Sequence, residues 1–239
     1  MCGEAAYNIP ALSETLGAAG YAHRVCGQFV RNFVDNRRCI HTFFVPLLKT
    51  YECTVETMRK LKVTELHRLT AAEYHEAHKF PLVVVLDHVR SLYNVGSVFR
   101  TCDAFRLSGL CLCGITATPP HPEIHKTALG AEESVPWKYF ERTQDAVAWL
   151  RAEGYRVLAV EQCEGSVMMQ DFHLEAGVRY ALVFGNEVKG VQQQVVDACD
   201  GCLEIPQFGT KHSMNVSVTA GIAIWSIVVQ SLPDVPHAR

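Results

Sequence analysis

The sequence predicts an α/β fold with a mostly parallel sheet that is flanked by helices. The first observation is the run PLVVVLD at 81–87, whose continuous apolar, β-branched character is typical of a strand buried on both faces. The second is that similar short runs alternate with helical patterns along the chain. The third is size: 239 residues with 49% hydrophobic and 20% charged side chains suit one α/β domain with at most a small appendage.

The predicted elements follow one another in a regular order after the strand at 81–87. They are a helix at 95–105, a strand at 109–113, a proline-rich loop through Pro122, a strand at 137–140, a helix at 144–153, strands at 156–160 and 179–184, a helix at 191–198 and a strand at 201–205. The chain then enters a polar loop and a final helix from Val216 to Val229. Residues 58–79 are predicted to form a helical lead-in, in which Thr70 and Glu73 fit a capping box.

The final helix is apolar except for interspersed Ser, Thr, Gly and Trp, which predicts a helix buried nearly all round. Its uncharged run of about twenty residues is long enough that a membrane span has to be weighed. The polar residues within the run and the lack of a flanking basic cluster favour a core helix instead, so no membrane association is expected.

Charge gives no direct indication of a nucleic-acid partner. The net charge is −3 and the pI about 6.4, so RNA contact would need a local basic patch. Residues 58–79 are the most basic segment, through Arg59, Lys60, Lys62, His67 and Arg68, and these charges form either a solvated face or an RNA backbone contact.

The ten cysteines do not form a recognisable framework. Cys111 and Cys113 alternate within an apolar strand, where cysteine behaves as a small hydrophobic residue. Cys199 and Cys202 form a lone CxxC, which could be a zinc half-site but is better explained as two reduced thiols around a turn. No metal is predicted, and the scattered cysteines together with the lack of a signal-peptide pattern favour a cytoplasmic location.

The chain is predicted to divide into an N-terminal extension at 1–57 and a main domain at 58–239. Residues 1–57 hold four of the ten cysteines and show no lasting helical or strand period, which predicts a poorly ordered extension. A small RNA-contacting or interaction segment is the alternative. The stretch MRKLKVTEL, which begins at Met58, looks like a natural N-terminus.

Three polar motifs interrupt the apolar pattern. In the first, DHVRSLYNVGSVFR, Asn94 is a candidate helix cap, and Arg100 lies about 140° around the helix from Val95, off the apolar packing stripe. An exposed arginine usually only faces solvent, but here it could point across the end of the sheet, where α/β proteins bind ligands.

The second motif, VFGNEVKG, ends a strand at Gly185, where a ligand or another backbone must approach closely. Asn186 and Glu187 follow, either as a turn that caps the next helix or as part of a ligand pocket. No GxGxxG follows the first strand and no GxxxxGK[ST] occurs, so the usual dinucleotide and phosphate loops are excluded.

In the third motif, LEIPQFGTKHSMNVSVTAG, Pro206 and Gly209 force a loop after a strand. Ser213 and Asn215 are candidate caps for the final helix.

In this order, NxGxxxR, FGxExxG and IPxxGxxxSxNVSVxAG resemble the three signatures of the SpoU/TrmH-type RNA 2′-O-ribose methyltransferases of the SPOUT class, over residues 58–232. The sequence departs from the family pattern at Tyr93, where a His or small polar residue is usual, at Gln207 (often Met) and at Met214 (commonly Leu). The resemblance implies a C-terminal trefoil knot, a homodimer, S-adenosylmethionine bound in a bent form, and methyl transfer to a ribose 2′-hydroxyl of structured RNA.

The resemblance also implies the site residues. The catalytic residues are Arg100, Asn94 and Glu187. The cofactor-binding residues are Val160, Gly185, Asn186, Ile205, Phe208, Gly209, Ser213, Met214 and Asn215. The family's arginine is usually taken as the base, but a guanidinium keeps its proton, so stabilisation of the developing alkoxide is an open alternative.

The substrate is expected to be tRNA, because no separate RNA-recognition domain precedes the catalytic part, and rRNA is the alternative. Two other classes are weighed: a non-catalytic RNA-binding relative, and a methyltransferase that modifies a base or a protein.

Overall fold

The computed structural model describes residues 58–234 of the chain. The extension predicted at 1–57 lies outside the described residues. The lead-in predicted as helical over 58–79 forms only in part, as one 3-10 turn at Val63–Glu65 and a short helix at Ala71–Glu76. The capping box is confirmed, since Thr70 Oγ1 accepts from the Glu73 N–H and the Glu73 carboxylate accepts from the Thr70 N–H.

The described chain forms a seven-stranded sheet in the order β3-β2-β1-β6-β4-β7-β5. The strands are β1 (Phe80–Asp87), β2 (Leu107–Cys113), β3 (Trp137–Phe140), β4 (Tyr155–Val160), β5 (Val167–Met168), β6 (Arg179–Phe184) and β7 (Gly201–Glu204). Each neighbouring pair is parallel, which confirms the predicted α/β class. The trefoil knot stays a prediction.

Helices connect the strands and cover both faces of the sheet. They are α1 (Ala71–Glu76), α2 (Leu92–Ala104), α3 (Pro122–Ala128), α4 (Ala131–Ser134), α5 (Thr143–Ala152), α6 (Gln193–Val196) and α7 (Val216–Val228). The short helices α3 and α4 are absent from the predicted elements. Local signals for α3 exist, because Pro122 occupies its first turn and the His121 side chain accepts from the Glu123 N–H.

The start of α2 corrects one sequence prediction. The helix begins at Leu92 and its cap is Ser91, whose Oγ accepts from the Asn94 N–H at 3.3 Å. Asn94 therefore lies inside the first turn, and the prediction that it caps the helix is wrong. The physical reason is that Ser91 already supplies the capping oxygen, which leaves the buried Asn94 side chain available for tertiary contacts.

The two faces of the sheet carry separate apolar cores. Along β1, Leu82, Val84 and Leu86 belong to the cluster that includes α2 and α7, whereas Val83 and Val85 belong to the cluster that includes α5. This alternation explains why β1 is a continuous apolar run, and it confirms the prediction of a strand buried on both faces.

Helix α7 is buried on only one side, so the prediction of burial all round is wrong. Its inner side chains pack into the core, among them Ala220, Ile224 and Ile227. An apolar stripe on its outer side is exposed: Val218 by 52%, Ile222 by 38%, Trp225 by 48%, and Val229, directly after the helix, by 40%. Within the described residues, no helix, strand or loop covers this stripe. No helix between residues 58 and 234 combines the length and the apolar character that a membrane crossing requires.

Candidate active site: three signatures around one asparagine

Asn94 is the side chain that joins all three sequence signatures. Its Nδ2 donates to Glu187 Oε1 at 3.1 Å, and its Oδ1 accepts from Asn215 Nδ2 at 3.1 Å. Ser217 Oγ lies 3.4 Å from the same Asn94 oxygen. Because one end of the amide donates and the other accepts, these partners fix a single orientation of Asn94 at the carboxyl-terminal edge of the sheet.

Glu187 binds the start of α2. Its Oε2 accepts from the Arg90 N–H and its Oε1 from the Ser91 N–H, both at 3.0 Å. An anion is favoured there, because the first N–H groups of a helix have no partner within the helix. Burial raises the pKa of Glu187, but the hydrogen bonds from Arg90, Ser91 and Asn94 outweigh it, so the pKa lies below its usual value. Glu187 is therefore ionised at neutral pH and holds the first signature against the second.

The loop after β6 is folded tightly, because Asn186 contacts Gly190 and Gly185 lies against the same backbone. Asn186 Nδ2 donates to the His88 carbonyl at 2.7 Å, and the Asn186 backbone bridges to Gly190. A Cβ added at Gly185 would lie 2.0 Å from both the Gly190 carbonyl carbon and the Val191 nitrogen. Gly185 is thus required by the close approach of another backbone, which is one of the two reasons predicted for it.

A cleft of about 290 Å³ opens beside this network at the carboxyl ends of β4, β6 and β7. Six of the residues predicted to bind a cofactor line it: Val160, Gly185, Asn186, Ile205, Ser213 and Met214. Glu187 also lines the cleft. Phe208, Gly209 and Asn215 do not line it. Phe208 is 95% exposed on its loop, and Asn215 instead caps α7 and holds Asn94.

Sequence reasoning missed two functional candidates directly after β4. Glu161 Oε2 accepts from the Val191 N–H at 2.9 Å, and a Cβ at Gly190 would come within 2.1 Å of that oxygen. Gln162 Nε2 donates to the His212 carbonyl at 3.0 Å and so joins the β4 end to the loop of the third signature. Their position after a buried parallel strand was the available signal, since ligands bind at that edge of such sheets.

Arg100 lies away from this cleft within one chain. It is exposed on α2 and lines a second depression, whose lining shares no residue with the cleft. That depression is formed by Ser97, Arg100, Thr101, Ala104, Phe105, Lys126 and Thr127. Asn94 and Arg100 point in directions about 120° apart, because successive helical residues turn by about 100°. One chain therefore brings Asn94 and Glu187 together but leaves Arg100 on another surface.

The glycine of the first signature has a packing role that the sequence did not reveal. A Cβ at Gly96 would lie 2.1 Å from Thr127 Oγ1 and 2.3 Å from the Ile124 carbonyl oxygen. Gly96 therefore lets α3 pack directly on the backbone of α2.

The fold and the cleft place this chain among the α/β proteins that bind a ligand at the carboxyl ends of parallel strands. The profile described as the SpoU rRNA Methylase family matches residues 81–225, more than half of the chain. The chain belongs to this family.

Individual relatives share less than a third of their residues with this chain. Over 155 residues the chain is 28% identical to the 23S rRNA (guanosine-2′-O-)-methyltransferase RlmB of Coxiella burnetii, covering 65% of this chain and 61% of that protein. The AdoMet-bound rRNA methyltransferase from Sinorhizobium meliloti matches with a TM-score of 0.59 at 27% identity, over 68% of this chain and 61% of that one. These matches span about three-fifths of the relatives' length.

A third similarity covers nearly all of the other protein. A structure described as giving insights into the 2-OH methylation of C/U34 on tRNA matches with a TM-score of 0.55 at 25% identity. The match covers 64% of this chain and 99% of that one.

Proposed function

We propose that this chain transfers the methyl group of S-adenosylmethionine to a ribose 2′-hydroxyl of structured RNA, as a homodimer in the cytoplasm. The observation that carries the proposal is the contact of Asn94 with Glu187 and Asn215 beside the cleft, because it assembles the three family signatures in one place. The activities named for the rRNA and tRNA methyltransferases among the relatives support it.

The residues of the cleft fit this donor. Val160, Ile205 and Met214 provide an apolar surface for an adenine ring, while Glu161 and Gln162 provide a polar edge. When bound, the donor supplies an electrophilic methyl group on a positively charged sulfonium. The carboxylates of Glu161 and Glu187 in the lining favour such a cation, and Asn94 and Asn215 keep the loop of the third signature in place.

Arg100 is proposed to stabilise the negative charge that develops on the ribose oxygen. A guanidinium keeps its proton, so its contribution is electrostatic and positional. Since Arg100 and the donor cleft lie apart within one chain, we infer that Arg100 works with the cleft of a second copy.

The exposed stripe of α7 supports the homodimer. Val218, Ile222, Trp225 and Val229 recur at helical spacing on one side of the helix, and Trp225 packs at a tilt against Phe105, directly after α2, with ring centroids 6.0 Å apart. A contiguous apolar stripe on a soluble chain marks an interaction surface, and a second copy would cover it symmetrically.

The central test combines donor binding with methyl transfer. Purified protein is incubated with RNA and donor carrying a labelled methyl group, and the product is digested to find nuclease-resistant dinucleotides, which form only at 2′-O-methylated ribose. Arg100→Ala should abolish transfer while calorimetry still detects binding of S-adenosylhomocysteine. Near-normal turnover by Arg100→Ala, or methyl groups found only on bases or protein, would contradict the proposal.

The role of Arg100 across the dimer has its own test. Ser213→Trp should fill the cleft, since Ser213 lines it and is exposed enough to accept a larger side chain. Dimers that contain only Arg100→Ala, or only Ser213→Trp, should be inactive. Mixed dimers of Arg100→Ala and Ser213→Trp should recover part of the activity, because one of their two sites keeps both functional halves. Mixed dimers that form but stay inactive would place Arg100 and its donor in the same chain.

The substrate is proposed to be tRNA, and the match that covers 99% of the protein linked to C/U34 methylation of tRNA supports it. Ribosomal RNA is the second candidate, favoured by the relatives named as 23S rRNA methyltransferases. Mass-spectrometric mapping of ribose methylation in total RNA, from cells with and without the gene, separates them by whether the lost methyl group lies in tRNA or in 23S rRNA.

A further inference from the structure

Two cysteines from distant parts of the sequence meet beside the donor cleft. Cys202 Sγ donates to Cys163 Sγ at 3.1 Å, although the two residues are 39 positions apart. Cys202 lies in β7, opposite Ala159 of β4, whereas Cys163 lies in the loop that follows β4. Both are free and only partly buried, unlike the fully buried Cys102.

This contact joins Cys202 to Cys163 rather than to Cys199, its neighbour in the CxxC motif. Within residues 58–234 the sulfur of Cys199 makes no hydrogen bond, whereas Cys202 Sγ bonds to Cys163 and to the Glu161 carbonyl oxygen. A disulfide has sulfur atoms about 2.05 Å apart, so the observed pair has to close by only about 1 Å.

We propose that Cys163 and Cys202 form an oxidation site, which a peroxide converts into an intramolecular disulfide that ties the loop after β4 to β7 and weakens donor binding. The thiolate of one cysteine attacks the peroxide oxygen, which gives a sulfenic acid and releases hydroxide that is protonated to water. The second sulfur then attacks the sulfenic sulfur and expels the other oxygen as water. Two thiols and one hydrogen peroxide thus yield one disulfide and two waters.

The two sulfurs take different parts in this sequence. Burial raises the pKa of Cys202 to about 12, so little of it is thiolate at neutral pH. The first oxidation therefore falls on Cys163, and Cys202 closes the bond in a slower step that higher pH accelerates.

The expected loss of S-adenosylmethionine binding depends on which of the two cysteines can move. This part of the inference rests on the proposed function of the cleft. Cys202 is held in the sheet between β4 and β5, so the loop at 161–163 has to shift toward it. Oxidation also removes the S–H of Cys202, and with it the hydrogen bond that this group donates to the Glu161 carbonyl. The shift of the loop displaces Gln162, which lines the cleft and holds the His212 carbonyl across it.

The cross-link is tested by treating the full-length protein with hydrogen peroxide and mapping its peptides. Digestion before aspartate cuts ahead of Asp200 and so separates Cys199 from Cys202. The expected product is a peptide pair joined through Cys163 and Cys202. It should be lost in Cys163→Ser and Cys202→Ser but retained in the matched control Cys199→Ser. A disulfide between Cys199 and Cys202, or none involving Cys163, would overturn the site.

The effect of the disulfide on donor binding is tested by titrating S-adenosylhomocysteine into reduced and oxidised protein. Oxidised wild type and Cys199→Ser should bind several-fold more weakly, dithiothreitol should restore binding, and Cys163→Ser should be insensitive to peroxide. Equal binding by the reduced and oxidised forms would overturn the link to the donor. If the reduced protein itself does not bind, the proposed function fails instead, while the mapped disulfide still stands or falls separately.

Discussion

Replacing Glu187 by glutamine is expected to destabilise the site without changing its shape. The carboxylate accepts from the Arg90 N–H through one oxygen, and from the Ser91 N–H and Asn94 Nδ2 through the other. An amide has only one acceptor oxygen, so its NH₂ must face a donor. The least costly orientation turns the NH₂ toward Arg90, which loses one hydrogen bond and makes the other two neutral.

The expected cost is about 1–2 kcal/mol, the lower part of the range for a lost charge-assisted hydrogen bond, because Arg90 is exposed and water can replace one partner. For a domain of this size, each kcal/mol lowers the melting temperature by about 2–4 °C, so the variant should melt about 2–8 °C below wild type at pH 7.

The pH dependence has a defined sign. The folded-state pKa of Glu187 lies below its usual value, so its contribution to stability is present above the unfolded pKa of about 4.3 and is lost as the pH falls through the lower folded value. The difference between wild type and Glu187→Gln should therefore be constant at neutral pH and shrink in acid.

Thermal melts followed by circular dichroism from neutral to acidic pH measure both effects. Glu133→Gln is the matched control, because Glu133 is exposed on α4 and its side chain makes no hydrogen bond within residues 58–234. A Glu187→Gln variant that melts with the control at pH 7, or a difference that grows in acid, would refute the reasoning.

Three further predictions concern the packing of α2 on α3, the contact of Asn215 with Asn94, and a chain that begins at Met58. Gly96→Ala should destabilise by about 1–3 kcal/mol in urea unfolding, because its Cβ would overlap the backbone of α3; Gly209→Ala is the control, since its Cβ meets nothing within 4 Å. Asn215→Ala should lose about 1 kcal/mol as a helix cap, and a double-mutant cycle with Asn94→Ala should show coupling rather than additivity. A chain that begins at Met58 should keep melting temperature, dimerisation and turnover on tRNA, since the three signatures follow it; an insoluble or inactive product would contradict this.

Most of the fold could be predicted because its signals are local. The strands β1, β4 and β6 are rich in apolar residues, and the predicted boundaries of every strand except β5 agree with the structure within a few residues. The two-residue strand β5 and the short helices α3 and α4 carry too little periodicity to be recognised. The burial of α7 was misjudged because sequence shows that a face is apolar but not what covers it.

The site could be predicted only where residue type and spacing carry the information. The motifs marked Asn94 and Glu187, but nothing in the sequence shows that an asparagine inside α2 contacts a carboxylate 93 residues later. Glu161 was missed for the same reason, since it belongs to no motif and its contact at Val191 is 30 residues away. The requirement for Gly185 likewise depends on a backbone five residues further along the chain.

The hydrogen-bond polarity of Asn94 explains why three separate motifs act as one site. Its amide nitrogen must face an acceptor, which Glu187 supplies as an ionised carboxylate, and its oxygen must face a donor, which Asn215 supplies. Glu187 and Asn215 in turn hold the starts of α2 and α7, so the orientation of one side chain fixes two helix ends at the edge of the cleft. A carboxylate at position 94 would face Glu187 with like charge, and an apolar residue would take one donor from Glu187 Oε1 and leave Asn215 Nδ2 without its Asn94 acceptor. An asparagine is therefore the side chain that this arrangement requires, independently of whether it ever touches the RNA.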